Sequence, residues 1–251
     1  MDLELKDKVF IVTGGSRGLG RATVEALVAD GARVVVSSRN AGALTDLEEA
    51  LGSSVRGVAV DSGAPDAADV LVTAALSAFG RLDGALISVG GPPSGPAMTA
   101  TDDSWRSAFE SVFLGGLRIA RAVAEAVQGD GSIAFVLSSS VKVPLDNLAI
   151  SNGLRPGLAM VAKTLANELG PRNIRVNGLL PGRIATDRLV ELDSATGNAE
   201  VARRNAEASI PMGRYGQPAE FAAAATFLLS PRSSYITGVM LPVDGGATQA
   251  L

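Results

Sequence analysis

Two stretches of this chain carry residue types that can do chemistry. The first is Thr13-Gly14-Gly15-Ser16-Arg17-Gly18-Leu19-Gly20, which directly follows the apolar run Val9–Val12. Glycines in a strand-to-helix turn let the backbone fold back tightly and come close to a bound group. The helix start adds unpaired N–H groups and the positive end of the dipole, so the chemistry on offer is phosphate binding. The G-x-x-x-G-x-G spacing departs from the G-x-G-x-x-G dinucleotide fingerprint, and a tight connection without a ligand would use the same residues. The second stretch is Ser138-Ser139-Ser140-Val141-Lys142-Val143-Pro144, with Ser151 and Arg155 downstream. Its hydroxyls can orient a substrate oxygen. Lys142, the sole cation of that loop, can move a proton if partial burial lowers its pKa. An exposed lysine on a serine-rich turn has the same sequence.

Positioning these residues requires strands that end where the two stretches begin. Short apolar runs alternate with amphipathic stretches from end to end, which predicts a doubly wound α/β fold with helices on both faces of a parallel sheet. Seven strands are expected, over 8–13, 33–38, 55–60, 84–88, 132–138, 174–180 and 239–243. Helices are expected over 18–30, closed by Gly31, over 41–51, followed by Gly52, over 102–127, begun by Thr101 or Asp102, and over 149–169. The stretch 183–210 is polar and interrupted by Gly197, and it follows a strand's carboxyl end, so it reads as a mobile substrate loop. No repeat or linker divides residues 1–251, which read as a single domain.

Composition removes several alternatives. Hydrophobic residues make up 47% and charged residues 19%, with Gly 29, Trp 1 and Tyr 2, which suits a buried parallel sheet flanked by alanine-rich helices. The net charge of −4 lacks the basic excess of a nucleic-acid surface. Cys 0 excludes disulfides and thiolate metal sites, and His 0 excludes a histidine base, every Ser-His-Asp arrangement and the commonest zinc ligand. The start MDLELKDK builds neither a signal peptide nor a spanning helix, so a soluble cytoplasmic protein without membrane partners is expected.

TGGSRGLG resembles the T-G-x-x-x-G-[IL]-G cofactor motif of the short-chain dehydrogenases/reductases, a family with a Rossmann-type sheet. Asp61 stands where that family has its adenine-side aspartate, with Ser62 beside it. RVNGLLPGRIATDRL, from Arg175 to Leu189, resembles its R-V-N-x-x-x-P-G-x-x-x-T segment, and YITGVMLPVDGG its closing strand. The resemblance spans nearly the whole chain and implies that Gly14, Ser16, Arg17, Gly18, Leu19, Gly20, Pro181, Gly182, Ile184 and Thr186 face a dinucleotide, the last two at its nicotinamide end. Ser88-Val89-Gly90, followed by Gly91-Pro92-Pro93, stands where the family has N-A-G and would face the adenosine half. At the end of the second strand an acidic residue would bind the ribose and repel an added phosphate. This chain has Ser37-Ser38-Arg39 there, and Arg39 with Arg17 can offer donors to a 2′-phosphate, which favours NADP(H). A solvated loop arginine is the plain alternative.

The catalytic positions depart from the family. Setting Leu165-Ala166-Asn167-Glu168 on its L-A-x-E segment puts Ser151 in place of the tyrosine, Arg155 in place of the lysine, and Val112 in place of the asparagine, while Ser138 is kept. Serine does not ionise usefully near neutrality and guanidinium cannot relay a proton, although Arg155 can hold the nicotinamide ribose. The pattern resembles a divergent 3-oxoacyl-carrier-protein-reductase-like branch. Asp146 and Asn147 are further substrate-contact candidates that equally suit a turn. The leading expectation is an NADP(H)-dependent reductase of a small or acyl-type carbonyl, with Ser138 orienting oxygen and Lys142 or water moving the proton. A catalytically silent NADP(H)-binding regulator and non-redox chemistry in the same pocket are the alternatives. The resemblance also implies a homotetramer or homodimer built through the two long helices and the last strand.

Overall fold

The computed structural model describes residues 2–194 and 197–250. Its seven parallel strands are β1 (Val9–Val12), β2 (Arg33–Ser38), β3 (Val55–Ala59), β4 (Gly84–Ser88), β5 (Gly131–Val136), β6 (Ile174–Pro181) and β7 (Met240–Val243), in the spatial order β3-β2-β1-β4-β5-β6-β7. Register is set from the centre outward, with Ile11 beside Val35 and Ala85, and Phe135 beside Ile87 and Gly178.

Strand side chains alternate between the two faces and both faces are buried, so the apolar runs are continuous. Val9, Ile11, Ile87 and Phe135 face one core, closed by helices α3 (Ala67–Phe79), α5 (Gly115–Ala126) and α6 (Ala149–Leu169). Phe10, Val12, Leu86 and Ala134 face the other, closed by α1 (Gly18–Ala29), α2 (Ala41–Leu51) and α9 (Pro218–Leu229). Gly31 and Gly52 take positive φ just past α1 and α2, as residues without a Cβ do at helix ends. Thr101 accepts from the Ser104 N–H at the start of α4 (Asp102–Ala108). Among the described residues no helix is long and apolar enough to cross a membrane.

Three sequence expectations need correction. The helix expected over 102–127 is interrupted, because a π-helical segment over Phe109–Leu114 separates α4 from α5. The stretch 183–210, expected as a loop, is largely helical. It holds α7 (Asp187–Ser194) and α8 (Ala199–Ala208), the latter capped by the Asn198 side chain on the Val201 N–H. Leu189, Ala206, Ile210 and Tyr215 give these helices a small core of their own, so a polar sequence folds on a few well-spaced apolar residues. Residues 195 and 196 of that stretch lie outside the described residues. Helices α3 and α9 have no counterpart in the sequence reading, although Pro218 at the first position of α9 is a helix-start signal.

Candidate functional site

The connections leaving β1 and β4 go to opposite sides of the sheet, which opens a crevice at the carboxyl ends of these two central strands. Thr13 stitches the gap: its hydroxyl donates to the Ser88 carbonyl at 2.8 Å and accepts from the Ser88 N–H at 2.8 Å. Gly14 then turns with φ +60°, and a Cβ there would stand 2.9 Å from the Ser88 carbonyl oxygen. A Cβ on Gly20 would stand 2.5 Å from the Gly14 oxygen and 2.9 Å from the Gly15 Cα. The turn is therefore folded tightly enough to exclude side chains at both ends. Arg17 precedes α1 in an extended conformation and gives no side-chain cap, so the Gly18, Leu19 and Gly20 N–H groups have no partner within the helix. Such a start can hold a phosphate.

From the β6 side, Thr186 reaches this turn, its Cγ2 3.5 Å from where a Gly18 Cβ would be. Gly182 is pressed against Asp244, where a Cβ would come 2.5 Å from the aspartate Cβ, and its N–H donates to the Val243 carbonyl at 3.0 Å. Ile184 is buried in the core on the α9 side, Pro181 ends β6 half-buried, Val89 packs on the opposite core, and Gly90 is exposed.

At the end of β2 the expected residues do converge. Ser16 and Ser38 share a 2.8 Å hydroxyl contact, the Gly15 N–H donates to the Ser37 carbonyl at 3.1 Å, and Ser37 and Ser62 hydroxyls lie 3.3 Å apart. Arg39 faces Asp61 with 3.9 Å between Nη1 and Oδ2, their side chains 81% and 56% exposed. An exposed pair at that distance contributes at most about 1 kcal/mol, so Arg39 is free to turn toward another anion. Asp61 spends its other oxygen on the Gly63 N–H at 2.9 Å.

The second cluster lies beyond β5, where the chain turns through Ser139–Val141 before reaching α6. Ser138 Oγ accepts from the Ser140 N–H at 3.1 Å, which leaves its own proton to donate elsewhere. Ser151 is buried and meets Ser140, with 3.4 Å between the hydroxyl oxygens. Ser140, expected with its neighbours to offer a hydroxyl to a substrate oxygen, instead meets the Ser151 hydroxyl. Their eleven-residue separation gave no signal of it. Lys142 follows the turn half-buried, and among the described residues its ammonium has no hydrogen-bond or ion-pair partner. Arg155 is drawn inside, with Nη1 donating to the Val136 carbonyl at 2.6 Å. Burial pulls its pKa down to about 10, which keeps it charged at neutral pH. Asn147 and Asp146 are exposed; Asn147 takes φ +59° and its carbonyl accepts from the Gly95 N–H at 2.7 Å. That contact pins the turn against the loop after β4, so the turn role accounts for Asn147.

A third group was missed altogether. Tyr215 donates to Asp193 at 2.9 Å, Arg183 donates to Asp193 at 2.9 Å and to the tyrosine oxygen at 3.2 Å, and Arg203 lies over the ring at 5.1 Å. Burial pushes the Tyr215 hydroxyl pKa up. The cluster ties α7 and α8 to the carboxyl end of β6. Its members are far apart in sequence, and no motif announced them.

Comparison with known proteins agrees with this geometry. The profile of the family described as enoyl-(acyl carrier protein) reductase matches residues 14–248. An uncharacterized oxidoreductase of Methylorubrum extorquens is 34% identical over 97% of this chain and 98% of its own. The 3-oxoacyl-[acyl-carrier-protein] reductase of Salmonella typhimurium is 30% identical over 97% of this chain and 98% of its own. Among solved structures, L-sorbose reductase from Gluconobacter frateurii, complexed with NADPH and L-sorbose, superposes with a TM-score of 0.95 at 30% identity and covers 100% of both chains. With this family match over residues 14–248 and this similarity along its length, the chain belongs to the short-chain dehydrogenase/reductase family of oxidoreductases.

Proposed function

We propose that this protein is an NADP(H)-dependent oxidoreductase of the ketoreductase type, acting on a carbonyl or alcohol through a proton-transfer site built without tyrosine. The observation that carries the reading is the glycine turn at the β1–β4 crevice with Arg17 and Arg39 exposed beside it and no acidic residue at the end of β2. The unpaired N–H groups of Gly18, Leu19 and Gly20 suit a pyrophosphate, and the Arg39 fork suits a ribose 2′-phosphate. The NADPH held by the sorbose reductase of the same fold supports the same choice. Bound there, the cofactor would supply hydride.

The chain's own residues have three tasks. Thr186 and Ile184 close the crevice from the β6 side, Ser138 orients the substrate oxygen by donating a hydrogen bond to it, and Lys142 or a water supplies the proton. Lys142 qualifies because the residue is half-buried beside the turn and its ammonium is uncommitted among the described residues. Ser151 is held by Ser140 and supports the site floor. The single sheet with cores on both faces supports one domain. Exposed Phe109 and Met160 on the long helical segments support association of copies through that surface.

The test is titration with NADPH and NADH, followed by an assay over aldehydes, ketones and quinones. NADPH should bind at least tenfold tighter than NADH. Turnover should fall about 10²- to 10⁴-fold in Lys142→Met, the range expected for loss of a general acid. Tight NADPH binding with no turnover on any compound would overturn the enzymatic reading in favour of a cofactor-sensing protein.

A further inference from the structure

Helix α6 carries one guanidinium into the interior with no opposite charge beside it. Arg155 is 6% exposed, and no charged side chain among the described residues bears on it. Its one hydrogen bond among the described residues, from Nη1 to the Val136 carbonyl, leaves Nε and Nη2 without a partner among them. Arg175 shows the contrast. It is also drawn inward, yet it donates to the Leu228 and Ser230 carbonyls and the Ser233 hydroxyl, with Asp130 close enough to act on it. Arg175 is a satisfied structural residue and Arg155 is not. A buried cation without a counter-charge is strongly unfavourable, and one neutral carbonyl does not offset it.

The unbonded nitrogens of Arg155 are also not sealed. Among the described residues, the one buried side-chain nitrogen or oxygen that lacks both solvent and a partner is Thr226 Oγ1. Nε and Nη2 of Arg155 are therefore not fully sealed, although the side chain as a whole is almost completely buried. These two nitrogens form the side of the guanidinium whose parallel N–H groups match the two oxygens of a carboxylate. Arg155 stands one turn beyond Ser151 on the same face of α6, and Ser151 meets Ser140 at 3.4 Å. Two hydroxyls and a free guanidinium edge thus share the carboxyl end of β5, where α/β proteins bind ligands.

We propose that this site takes a substrate bearing a carboxylate next to its reacting carbonyl, a 2-oxo acid or the matching 2-hydroxy acid, with Arg155 as the anchor for the carboxylate. The proposal rests on the carbonyl-reductase reading and narrows it to one substrate class. Sugar hydroxyls, those of the nicotinamide ribose included, would fill hydrogen-bond positions but leave the buried charge unmatched, whereas a carboxylate fills the positions and matches the charge.

The experiment compares pyruvate with pyruvamide, its uncharged isostere, at constant ionic strength. Binding is read by calorimetry in the presence of NADP⁺, so that no reduction occurs, and by thermal shift without any cofactor. Pyruvate should bind at least tenfold tighter than pyruvamide to the wild type, Arg155→Gln should abolish that preference, and Arg155→Lys should keep part of it. Equal binding of the two probes, no binding of pyruvate, or a preference that survives in Arg155→Gln overturns the proposal. The wild-type comparison needs no variant to fold. Failure of NADPH to bind would sink the cofactor reading alone, because the thermal-shift comparison still decides whether Arg155 holds a carboxylate.

Discussion

Replacing Gly20 with alanine sets two effects of opposite sign against each other. Inside a helix alanine is favoured over glycine by up to about 1 kcal/mol. Here, however, the new Cβ would sit 2.5 Å from the Gly14 oxygen and 2.9 Å from the Gly15 Cα, and both are main-chain atoms that cannot rotate away. Ordinary contact begins near 3.5 Å, so the start of α1 and the turn must part by roughly 1 Å. Forcing a methyl group into packed backbone costs about 1–3 kcal/mol, so the clash wins. A chain of this size loses about 2–4 °C per kcal/mol, and a melting point lower by about 2–8 °C is expected. The phosphate donors move with the turn. Losing even one charge-assisted hydrogen bond costs about 1.5–3 kcal/mol, or a tenfold or larger rise in the NADPH Kd. The assay is a thermal melt with and without NADPH, plus fluorescence titration of the cofactor. Gly42→Ala in α2 is the control, since a Cβ there meets nothing nearer than Asn40 Oδ1 at 3.5 Å, and its melting point should rise slightly. A Gly20→Ala protein that melts and binds NADPH as the wild type does would refute the cradle reasoning.

Three further outcomes are expected. Arg39→Glu should weaken NADPH binding at least tenfold while sparing NADH, measured as the ratio of the two dissociation constants; an unchanged ratio would return Arg39 to a plain loop residue. Tyr215→Phe removes a donor from buried Asp193, at a cost of about 1–3 kcal/mol, and hydrogen exchange in α7 and α8 should quicken while β1 stays protected. Glu220 is held down to about 2, from an ordinary 4.5, by two hydrogen bonds from Arg214 and one from the Gln217 N–H. A carboxyl lowered on folding adds stability that is complete above its unfolded value and drains as pH falls through the folded one. Urea midpoints at pH 7 and pH 3 should therefore differ less in Glu220→Gln than in the wild type, and equal differences would count against the assignment.

The strands and the glycine turn were legible in the chain because they rest on local rules. Short β-branched apolar runs such as Val34–Val36 read as strands buried on both faces, and a glycine at position 14 with φ +60° announces itself by type. Ser16 with Ser38, and Arg39 with Asp61, followed from strand ends that a parallel sheet must align. Other features depend on which side chains the folded chain brings together. The polar stretch after β6 becomes α7 and α8 because Leu189, Ala206, Ile210 and Tyr215 pack together, a contact invisible to short-range periodicity. The pairing of Ser140 with Ser151, and the Arg183–Asp193–Tyr215 cluster, depend on side-chain directions across separate elements. Sequence established that Arg155 is a cation in the place of a lysine. Tertiary structure decided that it is buried, bonded to one carbonyl and unmatched in charge, because desolvation is a property of the packed surroundings and not of the residue.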